Sequence, residues 1–217
     1  MKRVAFGLAL AGLLAVSGAG FAAEKWEFPG IGQMSVPKHV TVEAGEQMTI
    51  SDMNTKSPKI FWARKGIPDA NFYTITWKDG ADFSYGYALS GVVGAQFLQR
   101  EGVLGYRNLT LAEQLDVIAE TINRDIIARG AYFEGAAPLL KNKDEKHPRY
   151  EGSFILTRLE EDVSYRTAYH VTLQMNEVRI YLGLVAVDAD QADFAKSMSE
   201  MLKKRTFPKN KNILKDL

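Results

Sequence analysis

The chain has no cysteine among its 217 residues, and this absence excludes several kinds of site. Without thiols there is no disulfide framework, no thiolate metal site and no cysteine nucleophile. An excess of charge is also lacking, because 27 basic and 26 acidic residues nearly cancel and indicate neither a nucleic-acid nor a membrane partner. The three histidines, at positions 39, 147 and 170, have no spacing that would direct two of them at one metal ion. We therefore expect no cofactor and no nucleic-acid partner.

Long apolar runs are scarce as well, and the clearest one lies at the amino end. Lys2 and Arg3 precede an apolar segment over 4–16, and small residues follow over 17–23. A short basic region, an apolar region and small residues before a cut are typical of a secretory signal peptide. We expect residues 1–23 to be removed by cleavage near Ala22 or Ala23, so that the remaining chain is periplasmic or secreted.

The remainder, residues 24–217, has the size of one globular domain and is long enough to bury a stable core without disulfide bonds. Loss of Lys2 and Arg3 would leave 25 basic and 26 acidic residues. Its longest apolar run, about 180–187, is far shorter than the roughly 18 residues that a spanning helix needs. We expect no transmembrane helix in the mature chain.

Alternating apolar residues predict strands in the first half of the chain. Short strands broken at Pro37 are expected over 26–45, and a further strand over 59–64. Two aromatic-rich runs flank Lys78-Asp79-Gly80 and predict a hairpin. A three-residue loop with Trp77 opposite Ala81 would put both apolar sets on one side of the sheet. Their aromatic side chains suit a ligand pocket, although period-two aromatics usually form the core side of a sheet.

Two helices are predicted from capping residues and apolar periodicity. Thr110 and Glu113 form a capping box for a helix over 110–129, which Gly130 would end. Asp190 is the expected N-cap of a last helix that reaches about Arg205. The buried stripe of this last helix is expected to hold Phe194, Met198, Met201 and Leu202. The basic stretch around its end, 203–205, is expected to be solvated.

Three strands are expected between these helices, over 153–159, 165–175 and 178–187, and they form a meander. In the turn between the second and third of these strands, pairing Met175 with Val178 would put the apolar side chains of both strands on the same faces of the sheet. The element order predicts an α+β fold: a mainly antiparallel sheet with a hairpin, a central helix, a three-stranded meander and a C-terminal helix packed on the sheet.

The layout resembles a known group of exported domains. The proline-broken strand over 34–42, and the strand over 180–187 that leads into a helix with Phe194, Met198 and Leu202, look like the PsbP-like and Mog-like α/β/α sandwich. The similarity covers most of the chain after residue 23, except for 91–105. Members of that fold are typically noncatalytic accessory or binding modules, so the resemblance implies a similar role.

One face of the predicted meander gathers polar side chains. In the expected register Gly183 lies opposite His170 and leaves room beside its imidazole. An imidazole with arginines suits a small anion or acid–base chemistry, whereas alternating polar residues also suit a solvated face. The candidate ligand-binding residues are Arg166, His170, Thr172, Arg179 and Tyr181, with Gln174 on the same face.

Motifs of common enzyme classes are missing: there is no G-x-S-x-G elbow and no glycine-rich phosphate loop before a helix. We therefore expect a noncatalytic exported binding or accessory domain whose partner is an unidentified envelope protein or small molecule. The alternative is a small envelope enzyme that uses His170 with Arg166, Arg179 and Tyr181.

Overall fold

The computed structural model of the chain describes residues 25–28, 30–45, 67, 70–93, 97, 99, 105–128, 133–134, 139–142, 148–160 and 163–207. Three sequence predictions lie outside these residues: the signal segment 1–23, the strand over 59–64 and the helix stop at Gly130. Ten strands, two α-helices and a 3₁₀ helix over Tyr106–Asn108 follow one another in the described part of the chain, and the isolated described residues Phe97 and Gln99 are also helical.

The strands and helices have the following bounds. The first five strands are β1 (Lys25–Phe28), β2 (Gly32–Ser35), β3 (Val40–Ala44), β4 (Asn71–Asp79) and β5 (Asp82–Val92). The middle elements are α1 (Leu111–Ala128), β6 (Phe133–Glu134) and β7 (Leu140–Lys141). The last are β8 (Arg149–Glu160), β9 (Val163–Met175), β10 (Ile180–Asp188) and α2 (Ala192–Lys203).

The strands form a two-stranded ribbon, β1–β2, and a large sheet in the order β3-β4-β5-β10-β9-β8-β6, with β7 also paired to β8. Every pairing among the described strands is antiparallel. The mainly antiparallel α+β class predicted from the sequence is therefore confirmed. Pairing of β5 with β10 joins the hairpin half of the sheet to the meander half.

The large sheet is covered on both faces. On one face α1 packs through Leu115 and Ile118 against Leu173, Leu182 and Leu184 of the central strands. The other face carries a second cluster, to which α2 and the β1–β2 ribbon contribute together with alternate residues of β4 and β10. Two separate apolar cores therefore lie on opposite sides of one sheet.

The start of α1 confirms the predicted capping box. The backbone N–H of Glu113 donates to Oγ1 of Thr110 at 3.3 Å, and the backbone N–H of Thr110 donates to Oε2 of Glu113 at 2.7 Å. These bonds satisfy two of the amide groups that a helix start leaves without partners. No helix within the described residues is long and apolar enough to cross a membrane.

In α2 the predicted buried stripe is confirmed, whereas the predicted cap is wrong. Phe194, Met198, Met201 and Leu202 are all buried. The N-cap position is Gln191, without a side-chain bond; the carboxylate of Asp190 instead accepts from Arg166 at 3.2 Å, and the backbone N–H of Asp190 donates to Oδ1 of Asp188. The side chain of Asp188 therefore stabilises the bend at 188–190.

The predicted register of the first hairpin is wrong. Asp79 pairs with Asp82, so the loop has two residues, Gly80 and Ala81, and Trp77 lies opposite Ser84. Gly80 has φ +61 at the first loop position, where turns of type II′ take glycine. Trp77 is consequently buried on the α2 side, while Phe83 projects to the opposite face and is 49 % exposed.

The predicted register of the second turn is also wrong. Met175 pairs with Ile180 rather than Val178, which shifts the pairing by two residues. The side-chain oxygen of Asn176 accepts the backbone N–H groups of Val178 and Arg179 at 3.0 and 2.8 Å, and this local folding makes a four-residue loop. A shift of two residues keeps each side chain on its face but changes its cross-strand neighbours.

Gly183 therefore lies opposite Thr172, not His170, and its role is close packing. A Cβ atom on Gly183 would lie 2.3 Å from Cγ1 of Ile31 and 2.9 Å from the carbonyl oxygen of Gly30. The missing side chain lets the turn between β1 and β2 rest directly on β10. The space predicted beside the imidazole is filled by this turn.

We expect Gly183→Ala to lower the free energy of unfolding by about 1–3 kcal/mol, because the added methyl overpacks the contact with Ile31. Urea unfolding measures the loss. In a double-mutant cycle, Ile31→Ala should cost less in the Gly183→Ala background than in the native chain. Unchanged stability in Gly183→Ala would contradict the packing role.

Candidate functional site

A cavity of about 540 Å³ lies between α2 and the meander strands β8, β9 and β10. Its floor consists of alternate residues of the three strands, and α2 with the segment that follows it forms the roof. Strand pairing sets the floor: Ser153 lies opposite His170, which lies opposite Val185. Side chains at these paired positions share a face and converge on one space.

One end of the cavity is charged. Glu151, on β8, accepts a hydrogen bond from Nε of Arg149 through Oε1 and forms an ion pair with Nη2 of Arg205 through Oε2 at 2.6 Å. Burial raises the pKa of Glu151, but the hydrogen bond from Arg149 and the charge of Arg205 outweigh it and hold that pKa below its usual value. The carboxylate is therefore ionised and shared by two guanidinium groups.

Arg205 is the most buried charge at this end, with a side chain only 5 % exposed. Nη1 donates to the carbonyl oxygen of Leu202 at 2.6 Å, and the guanidinium lies 5.4 Å from the ring centroid of Phe207. Its Nε has no hydrogen-bond partner among the described residues. Burial is the main cause that lowers the pKa of Arg205, and the attraction of Glu151 opposes it.

His170 lies beside the charged end. Its Nδ1 lies 2.9 Å from Oγ of Ser153 and its Nε2 lies 3.3 Å from Oγ1 of Thr172. Burial, the larger cause, and the charge of Arg205 together lower the pKa of His170 to about 4, and the charge of Glu151 opposes the shift. The imidazole is therefore neutral near pH 7.

The other end of the cavity is apolar. Along β8, the floor positions 149, 151, 153 and 155 change from Arg through Glu and Ser to Ile. Ile155 pairs with Ala168, which pairs with Val187. The roof adds Ala195, Met198 and Leu202 from α2. The cavity thus runs from charged to hydrocarbon surroundings along the strands.

The structure brings together only part of the predicted site. His170 lines the cavity, and Thr172, fully buried, touches its ring. Arg166 instead donates to Asp190 at 3.2 Å. Arg179 is exposed in the four-residue loop, and Tyr181 packs under the β1–β2 turn. Of the polar stripe, Thr172 is buried and His170 is partly buried beneath the cover of this face, whereas Arg166 and Arg179 at its two ends keep contact with solvent.

Sequence reasoning missed the residues that carry the charge. Arg149, Glu151 and Ser153 alternate on one face of β8, a signal that was available but lay partly before the predicted start of that strand. Arg205 follows the predicted helix within a basic stretch that was expected to be solvated. Its burial depends on a contact with Glu151, 54 positions earlier, which no local pattern reveals.

Among the described residues, no group of three or more His, Asp or Glu side chains is placed to hold a metal ion. Comparisons of the chain with protein-family models, curated proteins and solved structures found no match. The resemblance to PsbP-like domains therefore stays a prediction, and functional argument depends on the cavity itself.

The depressed pKa of His170 predicts a pH-dependent stability. Above about pH 6.5 the ring is neutral in the folded and unfolded chains; between pH 6.5 and about 4 only the unfolded chain binds the proton. The free energy of unfolding should therefore fall by about 2–3 kcal/mol as the pH falls through this window. Urea unfolding across the window measures the slope.

His170→Gln, which retains polar atoms but does not titrate, is the control for this prediction. The slope between pH 6.5 and about 4 should be smaller in this variant, while the loss from protonation of carboxylates such as Glu151 at lower pH remains. Equal slopes in both proteins would show that His170 is not the titrating group.

Proposed function

We propose that the protein is an exported, noncatalytic domain that binds a small molecule in the cavity beneath α2. The observation that carries the proposal is the cavity of about 540 Å³, which joins charged and polar side chains at one end to an apolar wall at the other. Ligand sites have this size range and this combination of an apolar lining with a few fixed polar groups. A concave site favours a small molecule over the flatter surface that a protein partner requires.

Two further features support binding without catalysis. A general acid or base works best with a pKa near the working pH, whereas the pKa of His170 is about 4. The guanidinium groups of Arg149 and Arg205 are fixed by Glu151, an arrangement that positions a ligand without moving protons. The amino-terminal segment resembling a signal peptide supports export.

A cavity-filling variant tests this function. Ala195→Phe places a ring into the space from α2 and should weaken binding of the neutral fluorescent probe N-phenyl-1-naphthylamine by about tenfold or more. Probe fluorescence during titration with the purified full chain measures the affinity.

Ala192→Phe is the matched control, since Ala192 is exposed at the start of the same helix and does not line the cavity. It should bind the probe as the native chain does, and circular dichroism should show that both variants are folded. Failure of the native chain to bind, or equal binding by both variants, would overturn the proposed function.

A second candidate is a small envelope enzyme, favoured by the distance of 2.9 Å between Oγ of Ser153 and Nδ1 of His170. In such an enzyme Oγ of Ser153 would attack the acyl carbon of an ester while His170 took the hydroxyl proton; His170 would pass that proton to the departing alcohol, and water would then hydrolyse the acyl-serine. The arginines of the alternative predicted from the sequence, Arg166 and Arg179, do not join His170 in the cavity.

Hydrolysis of p-nitrophenyl butyrate separates the two candidates. For a binding domain we expect the native chain and Ser153→Ala to release p-nitrophenol at the same slow rate, because neutral His170 with a pKa of about 4 is a weak base. Turnover that falls by about a hundredfold or more in both Ser153→Ala and His170→Ala would favour the enzyme instead.

A further inference from the structure

The gradient along the cavity floor restricts the chemistry of the ligand. Positions 151 and 155 of β8 share one face and are separated by about 13 Å along the strand. Glu151 marks the charged end, and Ile155 with Val187 marks the apolar end. A molecule that fills the cavity must therefore carry a polar group at one end and a hydrocarbon portion at the other.

The charge at the polar end selects the sign of that group. Among the described residues that line the cavity, Arg149, Lys203 and Arg205 are basic and Glu151 alone is acidic. His170 adds no charge at neutral pH because its pKa is about 4. Both carboxylate oxygens of Glu151 already have guanidinium partners. The lining that these described residues form is net positive, so it attracts an anion and repels a cation.

We propose that the cavity binds a carboxylate with a single medium-length hydrocarbon chain, its carboxylate toward Arg149 and Arg205 and its chain toward Ile155, Val187 and Met198. This inference rests on the proposed binding function. Guanidinium groups suit a carboxylate because their N–H donors match its oxygens, and Ser153 supplies a neighbouring hydroxyl. The apolar wall supplies affinity in proportion to the hydrocarbon surface that it removes from water.

Three probes with the same chain test the head group: decanoate, 1-decanol and decylammonium, each titrated into the full chain by calorimetry below the concentration at which it forms micelles. Decanoate should bind at least about tenfold more tightly than 1-decanol, and decylammonium should bind most weakly. Equal affinities for decanoate and 1-decanol would overturn the inference while leaving a cavity that binds ligands.

Arg149→Leu tests the proposed partner of the carboxylate. This variant should lower the affinity for decanoate by about tenfold or more and leave the affinity for 1-decanol nearly unchanged. Arg124→Leu is the matched control, because Arg124 is an exposed arginine on α1, which covers the opposite face of the sheet. Equal decanoate affinities in the two variants would overturn the assignment.

Salt dependence provides a measurement on the native chain in case Arg149→Leu does not fold. Added sodium chloride should lower the affinity for decanoate, because salt screens the attraction of its charge, but not the affinity for 1-decanol. The same change in both affinities would overturn the inference. If no ten-carbon probe binds while N-phenyl-1-naphthylamine binds in a manner blocked by Ala195→Phe, the carboxylate inference fails and the proposed function stands. If N-phenyl-1-naphthylamine does not bind either, both fail.

Discussion

Strand β10 pairs with β5 on one side and β9 on the other, and every residue from Leu182 to Val187 is buried. Its even-numbered side chains enter the core under α1 and its odd-numbered ones, Val185 and Val187, enter the core under α2. Each large aliphatic side chain buried in this way contributes about 1.5–3 kcal/mol. Because this strand is apolar on both faces, both faces of the sheet must be covered, and the two helices and the ribbon supply that cover.

Double coverage changes what polar side chains on the sheet can do. Thr172 is fully buried on the α2 side, and its hydroxyl bonds to His170, which in turn contacts Ser153. A buried polar group without a partner is costly, so these residues form a connected set. Where the cover is less complete, at the cavity, His170 and the exposed Ser153 lie beside the charged residues Arg149, Glu151 and Arg205. The candidate site is therefore a consequence of covering a sheet that retains polar residues on its second face.

Much of this architecture was predictable from local patterns. The capping box at Thr110 and the buried stripe of α2 follow from side-chain chemistry within a few residues. The registers at the β4–β5 and β9–β10 turns were not predictable in this way. A single glycine, Gly80, selects the loop length of the first turn, and the side-chain oxygen of Asn176 selects that of the second. The continuous apolar run of β10 was visible in the sequence and is typical of a strand buried on both faces. An apolar strand that is buried on both faces predicts that the neighbouring polar residue His170, on the second face, also lies beneath a covering element.

The burial of Arg205 at the charged end of the cavity was beyond prediction because its partner Glu151 lies in a distant part of the chain, and the composition of this end bears on function. Burial of Arg205 removes a guanidinium from water; the carboxylate of Glu151, the carbonyl oxygen of Leu202 and the ring of Phe207 compensate it, while Nε has no partner among the described residues. Buried ion pairs often stabilise a fold no better than apolar residues of similar volume, and a role in binding would account for the buried charge. An anion bound nearby would offset the positive charge of the lining and bind the folded chain in preference to the unfolded one. Ligand binding and fold stability would then be linked through the same ion pair.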